Sequence, residues 1–126
     1  MTIRGVGIDI VDIPRFRRVW ARYGPSLERR WFDASEVDTQ GDTARQLARC
    51  LAVKEAVWKA LAPTAPAHLV WNEIITTRSS AGALGVELRG GLLLAADLIG
   101  VESILVSATT QGDLVVATAI AQGAEP

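Results

Sequence analysis

Cysteine and histidine each occur once, as Cys50 and His68, in a chain of 126 residues. A single cysteine excludes an intrachain disulfide framework and a cysteine-ligated zinc site, and a single histidine closes the histidine-rich metal option. Neither sign of charge is in excess, since 13 Lys and Arg stand against 14 Asp and Glu. No global basic field is therefore available to drive nucleic-acid binding, and recognition of a charged partner has to come from a local patch. Long apolar runs are missing too: the aliphatic stretch at residues 92–96 stops at Asp97, far short of the ~20 residues that cross a bilayer. Met1-Thr2-Ile3-Arg4-Gly5 leads straight into a strand pattern, without the apolar segment or small-residue cleavage site of a secretion signal. The expectation is a cytoplasmic protein with neither membrane nor nucleic-acid partners.

Hydrophobic residues make up 49% of the chain, enough for one core and too few residues for two. A single domain over residues 1–122 is expected, with residues 123–126 a tail that composition marks as disordered. From residue 3 to 11, Val6, Ile8 and Ile10 alternate with Gly5, Gly7 and Asp9, the period of a strand with two unlike faces. The glycines leave that face open to close approach by a ligand or by a packed helix. A helix follows from Asp12 or Ile13 with Pro14 in its first turn, and its core stripe is Phe16, Val19, Trp20 and Tyr23. Arg15, Arg18 and Arg22 form a cationic ridge beside that stripe, without interleaved acids. Such a ridge is either a solvated face or a docking surface for an acidic partner.

Gly24-Pro25 breaks this helix, and Asp33 with Glu36 carries a capping box. Thr43 with Gln46 opens the longest helical pattern, which runs to about Ala62, where Pro63 and Pro66 end it. Leu47, Leu51, Trp58 and Leu61 form its apolar stripe, and alanines at 44, 48, 52, 56 and 60 make a small-residue ridge that permits a close neighbour. Strands at 71–77 and 84–88, a helix at 91–99, and a hairpin pairing 103–109 with 114–121 complete the pattern. The elements do not alternate regularly, which favours an α+β fold with an antiparallel sheet packed on the long central helix.

Two carboxylates stand where packing does not ask for them: Asp9 inside an apolar strand and Glu55 on the flank of the Ala-rich helix. Both are costly to bury unpartnered. A shared divalent cation explains both, and hard oxygen ligands with open positions suit Mg2+ bound jointly to a phosphate-bearing substrate. Lys59, one turn beyond Glu55, is placed either to neutralise a phosphoryl group or to make an ordinary i, i+4 helix pair.

Gly7-Ile8-Asp9-Ile10-Val11-Asp12-Ile13-Pro14-Arg15, then Phe32 with Glu36, then Lys54-Glu55-Ala56-Val57-Trp58-Lys59-Ala60-Leu61 resemble the holo-acyl carrier protein synthases, the small single-domain 4′-phosphopantetheinyl transferases. The resemblance runs in order along nearly the whole chain, through Gly82, Gly85 and the final hairpin. It implies transfer of 4′-phosphopantetheine from coenzyme A to a serine of an acyl carrier protein, with Mg2+, by a homotrimer whose sites lie between subunits. Asp9 and Glu55 would be the metal ligands, and Asp9, Glu55 and Lys59 the catalytic group. Lys54, Lys59, Arg49 and Thr110 would meet coenzyme A, and Arg15, Arg18 and Arg22 the carrier.

The pattern departs from the family at three places: Cys50 stands for an arginine, Pro63-Thr64-Ala65-Pro66 for a glycine-rich turn, and Thr110 for a histidine. All three fall where the family meets coenzyme A, whereas the carboxylates and the ridge persist. Two other readings follow from that asymmetry: a repurposed member acting on an acyl chain tethered to the carrier, or a non-catalytic carrier-binding partner.

Overall fold

The computed structural model describes residues 1–61 and 71–125. β1 (Thr2–Asp12) runs into α1 (Ile13–Trp31), and a 3-10 turn (Ala34–Glu36) leads to α2 (Thr43–Leu61). A second such turn (Trp71–Glu73) opens β2 (Ile74–Arg78), followed by β3 (Leu84–Leu88), α3 (Gly90–Leu98), β4 (Ser103–Gln111) and β5 (Leu114–Gly123). The strands form an antiparallel sheet in the order β1-β5-β4 and a separate β2–β3 hairpin. The expected α+β architecture, with α2 laid across the larger sheet, is the one observed. Pro63-Thr64-Ala65-Pro66 and His68 lie outside the described residues.

The seam between α2 and the sheet is built from the smallest side chains in the chain. Ala48, Ala52, Ala56 and Ala60 are buried against the inner face of β5, where Val115, Ala117, Ala119 and Ala121 are buried in turn. Gly5 and Gly7 extend this seam into β1: a Cβ on Gly7 would collide with the Ala56 carbonyl, and one on Gly5 with the Ala60 carbonyl. The glycine face of β1 therefore packs on the helix, and its aliphatic face turns outward. Val6, Ile8 and Ile10 are 64%, 57% and 60% exposed, the reverse of the usual apolar-inward sheet. Away from the seam, Leu47, Val53, Val57 and Leu61 of α2 are fully buried, and each contributes about 1.5–3 kcal/mol of apolar burial.

Local signals resolve as follows. Asp12 caps α1 by accepting the Arg15 N–H at 3.0 Å. Phe16 is buried edge-on to Phe32, but Tyr23 is 53% exposed and leaves the expected core stripe. Its neighbour Gly24 abandons helical dihedrals (φ 10°, ψ −100°), so the expected break is a kink, after which the helix resumes from Pro25 to Trp31. The Asp33–Glu36 capping box is present. At the start of α2, Asp42 rather than Thr43 accepts an orphan amide, from Arg45 at 3.1 Å, while the Thr43 hydroxyl donates to the Asp38 carbonyl. Trp71–Glu73 is a turn rather than the start of a strand, and Gly123, expected in the tail, ends β5 packed against the Gly100 carbonyl.

Candidate active site

Asp9 lies on the glycine face of β1, two residues after Gly7, in register with Ala117. Because Gly7 lets the Ala56 backbone approach, the residue before Ala56 in α2, Glu55, arrives beside Asp9. Burial, together with the Asp9 carboxyl beside it, pushes the Glu55 carboxyl up to about 8. Lys59 reaches across from the next turn of α2 and donates to Asp9 Oδ1 at 2.6 Å and to the Ile8 carbonyl at 3.1 Å. Asp9 is 14% exposed and Lys59 53% exposed, so the cluster has a sealed floor and an open mouth. Lys59 pairs with Asp9 across the seam, which excludes the ordinary intrahelical pair with Glu55 as its main partner; Asp9 holds its ammonium above the ordinary lysine range.

The donor set tests whether a hard divalent cation fits. Two carboxyl groups on facing elements stand side by side, and burial together with the Asp9 charge favours the protonated form of Glu55. No group of three or more His, Cys, Asp or Glu suited to a metal occurs among the described residues, so the chain supplies two oxygen donors. Other positions stay open to water or phosphate oxygens, as in dedicated magnesium–phosphate sites.

Lys54 requires a correction. Expected among the coenzyme-facing residues, its side chain is fully buried, and its ammonium donates to Glu36 Oε1 at 2.7 Å, to the Trp71 carbonyl at 3.1 Å and to the Ile74 carbonyl. An ammonium has three protons and all three are committed inside the fold, so it cannot reach a ligand. The helical phase explains this, because Lys54 and Glu55 are successive residues about 100° apart on α2. Glu36 in turn accepts from the Asp33 amide and from the amide and hydroxyl of Thr76. The capping box identified Glu36 as a cap; its role as the buried counter-ion of Lys54 has no local sequence signal.

On another flank of α2, a cleft of about 740 Å³ opens between the helix, the 3-10 turn before it and the β2–β3 hairpin, lined by Gln46, Arg49, Cys50, Thr76, Thr77 and Arg78 among others. It shares no residue with the Asp9–Glu55–Lys59 cluster. Arg49 lines it with its Nε sealed from solvent and without a hydrogen-bond partner among the described residues. The Thr110 hydroxyl, on the inward face of β4, is buried and likewise without a partner among the described residues. Cys50 closes the cleft floor, its sulfur accepting from Gln46 and Thr76, and burial pushes its thiol up, away from reactivity. Arg15, Arg18 and Arg22 are all exposed on α1, and none of the three forms an ion pair among the described residues, although Arg22 lies 5.4 Å from the Tyr23 ring centroid. No helix among the described residues is long and apolar enough to cross a membrane.

Residues 5–119 match the sequence profile of the 4′-phosphopantetheinyl transferase superfamily. The chain is 38% identical to a holo-[acyl-carrier-protein] synthase of Beutenbergia cavernae over 120 residues, 95% of this chain and 98% of that protein. It superposes on the acyl carrier protein synthase of Mycobacterium tuberculosis with a TM-score of 0.74 and 33% identity, covering 98% of this chain and 100% of that one. Against the Helicobacter pylori holo-[acyl-carrier-protein] synthase in complex with coenzyme A the TM-score is 0.80 at 25% identity, over 93% of this chain and 99% of that one.

Proposed function

The chain belongs to the 4′-phosphopantetheinyl transferase superfamily, and we propose that it transfers 4′-phosphopantetheine from coenzyme A to a serine of an acyl carrier protein at the Asp9–Glu55–Lys59 cluster. One observation carries the assignment of the site: two acids from distant parts of the chain meet across a helix–strand seam, beside a half-exposed lysine.

Asp9 and Glu55 would hold Mg2+, which when bound disperses the negative charge of the coenzyme diphosphate. The remaining work belongs to the chain's own groups. Lys59, pivoting at the mouth, orients the diphosphate oxygens by charge-assisted hydrogen bonds. Glu55, its carboxyl pushed up to about 8, accepts in its ionised form the proton of the carrier serine as the serine oxygen attacks the β-phosphorus. A serine O–P bond forms, the bond to the nucleotide bisphosphate breaks, and adenosine 3′,5′-bisphosphate leaves with the electron pair. Positioning supplies most of the acceleration, because phosphoryl transfer offers little covalent chemistry to a protein. Arg15, Arg18 and Arg22 form the cationic rail on which an acidic carrier docks.

The exposed aliphatic face of the larger sheet supports assembly into a homotrimer. Val6, Ile8 and Ile10 of β1 and Leu105 of β4 are each more than half exposed on one surface, an apolar patch of the kind that marks an association surface. A light-scattering mass of one chain, about 13.5 kDa, would remove the trimer.

Mass spectrometry of an apo carrier protein incubated with this chain, coenzyme A and Mg2+ tests the function. The expected result is a phosphopantetheine-sized mass gain, with initial rates lowered about 10²–10³-fold by Glu55→Gln and by Asp9→Asn, the range typical of losing one electrostatic catalytic contact. Equal rates for wild type and both variants would sink the site, and no gain on any acidic carrier would sink the activity.

A further inference from the structure

We propose that α3 is a self-association surface, on which a second copy of this chain packs its own α3 antiparallel across a two-fold axis near Leu94 and Ala95. The helix is apolar on both sides. Leu92 and Ala96 are buried in the fold, whereas Leu93 is 42%, Leu94 65% and Leu98 87% exposed, the last being the most exposed large apolar side chain among the described residues. A surface helix ordinarily turns a polar face to water, and one that is apolar all round is a buried one. At 100° per residue Leu94 and Leu98 point away from Leu92 and Ala96, with Leu93 on one flank. No residue of this face belongs to the sheet surface of Val6, Ile8, Ile10 and Leu105 or to the Asp9–Glu55–Lys59 cluster, so neither accounts for it.

Two observations make a second copy the occupant. The first is shape: Gly90 and Gly91 leave a gap at one end of α3, and Leu98 stands as a knob one heptad beyond Gly91. In a two-fold pair residue i meets j and j meets i, so an antiparallel arrangement sets Leu98 of each copy on Gly91 of the other, Leu94 against Ala95, and Leu93 beside its counterpart. The atom nearest to a Cβ at Gly91 would be a Glu73 carboxylate oxygen at 3.9 Å, and that carboxylate is already engaged by the Gly91 and Leu92 amides. The second observation is charge. Asp97 sits in the last turn of α3, the end at which the helix dipole disfavours an anion, with no basic residue in that turn and no hydrogen bond or ion pair to its carboxylate among the described residues. Antiparallel packing brings it to the N-terminus of the other α3, whose first turn holds no acid and which Arg89, half exposed, precedes. A lipid surface fits less well, because a helix lying on a membrane carries Lys and Arg along its polar edge and the one charge on α3 is Asp97.

Sedimentation velocity of the full chain across about 1–100 μM tests this. Wild type is expected to interconvert with a species of twice its mass, whatever the stoichiometry of assembly through the sheet. Leu94→Glu and Leu98→Glu, both at exposed positions, should raise the dissociation constant of that doubling at least about thirtyfold by burying an unpaired charge, with the circular dichroism spectrum unchanged. Leu94→Ala, which adds no charge, should raise it about five- to tenfold, and Asp97→Lys about two- to fivefold, more at low salt. Leu94→Cys, beside the axis, should form an interchain disulfide on oxidation, since the native Cys50 is buried. A wild type that never doubles, or doubling that persists undiminished in both glutamate variants, overturns the proposal. Flotation of the wild type with phosphatidylcholine vesicles, abolished by Leu94→Glu and without doubling in solution, assigns the face to lipid and overturns it as well.

Discussion

Lys54 and Lys59 stand five residues apart on one helix, each bonded to a carboxylate, and they have opposite fates. Lys54 and Glu36 are both fully buried, and every proton and carboxylate oxygen of the pair has a partner inside the fold. Burial pulls Lys54 below the ordinary lysine range, against the opposing pull of Glu36. Lys59 is half exposed, and its partner Asp9 stands beside Glu55, whose carboxyl it helps push up to about 8. A saturated polar network fixes the fold, whereas an unsaturated one at a sheet–helix seam leaves coordination and proton-transfer capacity unspent. The same contrast divides the two glutamates: Glu36 is fully hydrogen-bonded, and Glu55 is held beside another acid.

The largest effect expected from breaking this contrast is on the saturated side. Lys54→Met leaves the Glu36 charge buried and unpaired, which should cost about 3–5 kcal/mol of unfolding free energy, readable from the denaturant midpoint at unchanged slope. A loss under 1 kcal/mol would mean that the pair is not what orders this corner, while the matching change Lys59→Met should leave the midpoint nearly where it was.

A second expectation concerns pH. The folded pKa of Glu55 is raised from 4.5 to about 8, so the folded state holds that proton more tightly than the unfolded chain. The associated stability is fully present below pH 4.5 and is lost as pH rises through 8. Without divalent cation the melting temperature should fall across this window by a few degrees, and Mg2+ should shrink the fall by replacing the Glu55 proton. A profile that is the same with and without Mg2+ would separate the cluster from metal binding.

The smallest effect is at the surface. Arg15→Glu reverses one exposed charge of the ridge and should lower carrier affinity by about three- to tenfold, more at low salt than at 0.5 M. Surface plasmon resonance at two salt concentrations checks it, and unchanged affinity at both would remove α1 from the docking surface.

Much of this was legible beforehand. Period-two alternation gave β1, Asp12 and Pro14 gave the start of α1, and the alanine ridge at every fourth position announced a helix that would sit close to its neighbour. Asp9 and Glu55 stood out because each was an acid in apolar surroundings. Tyr23 misled, because a periodic stripe says nothing about whether a kink at Gly24 will carry its last member out of the core. Lys54 misled too, since a lysine in a recognisable motif reads as a ligand contact until the helical phase shows it pointing inward.

The sequence by itself determined the elements, the small-residue seam and the identity of the two acids, because these depend on side-chain size, charge and spacing along a short stretch of chain. Tertiary structure alone decided which face of β1 meets α2, which lysine is sealed in, and that the Arg49 Nε finds no acceptor among the described residues. Those outcomes are set by what lies across the gap, in residues tens of positions away, and no local pattern encodes the neighbour that a side chain will find.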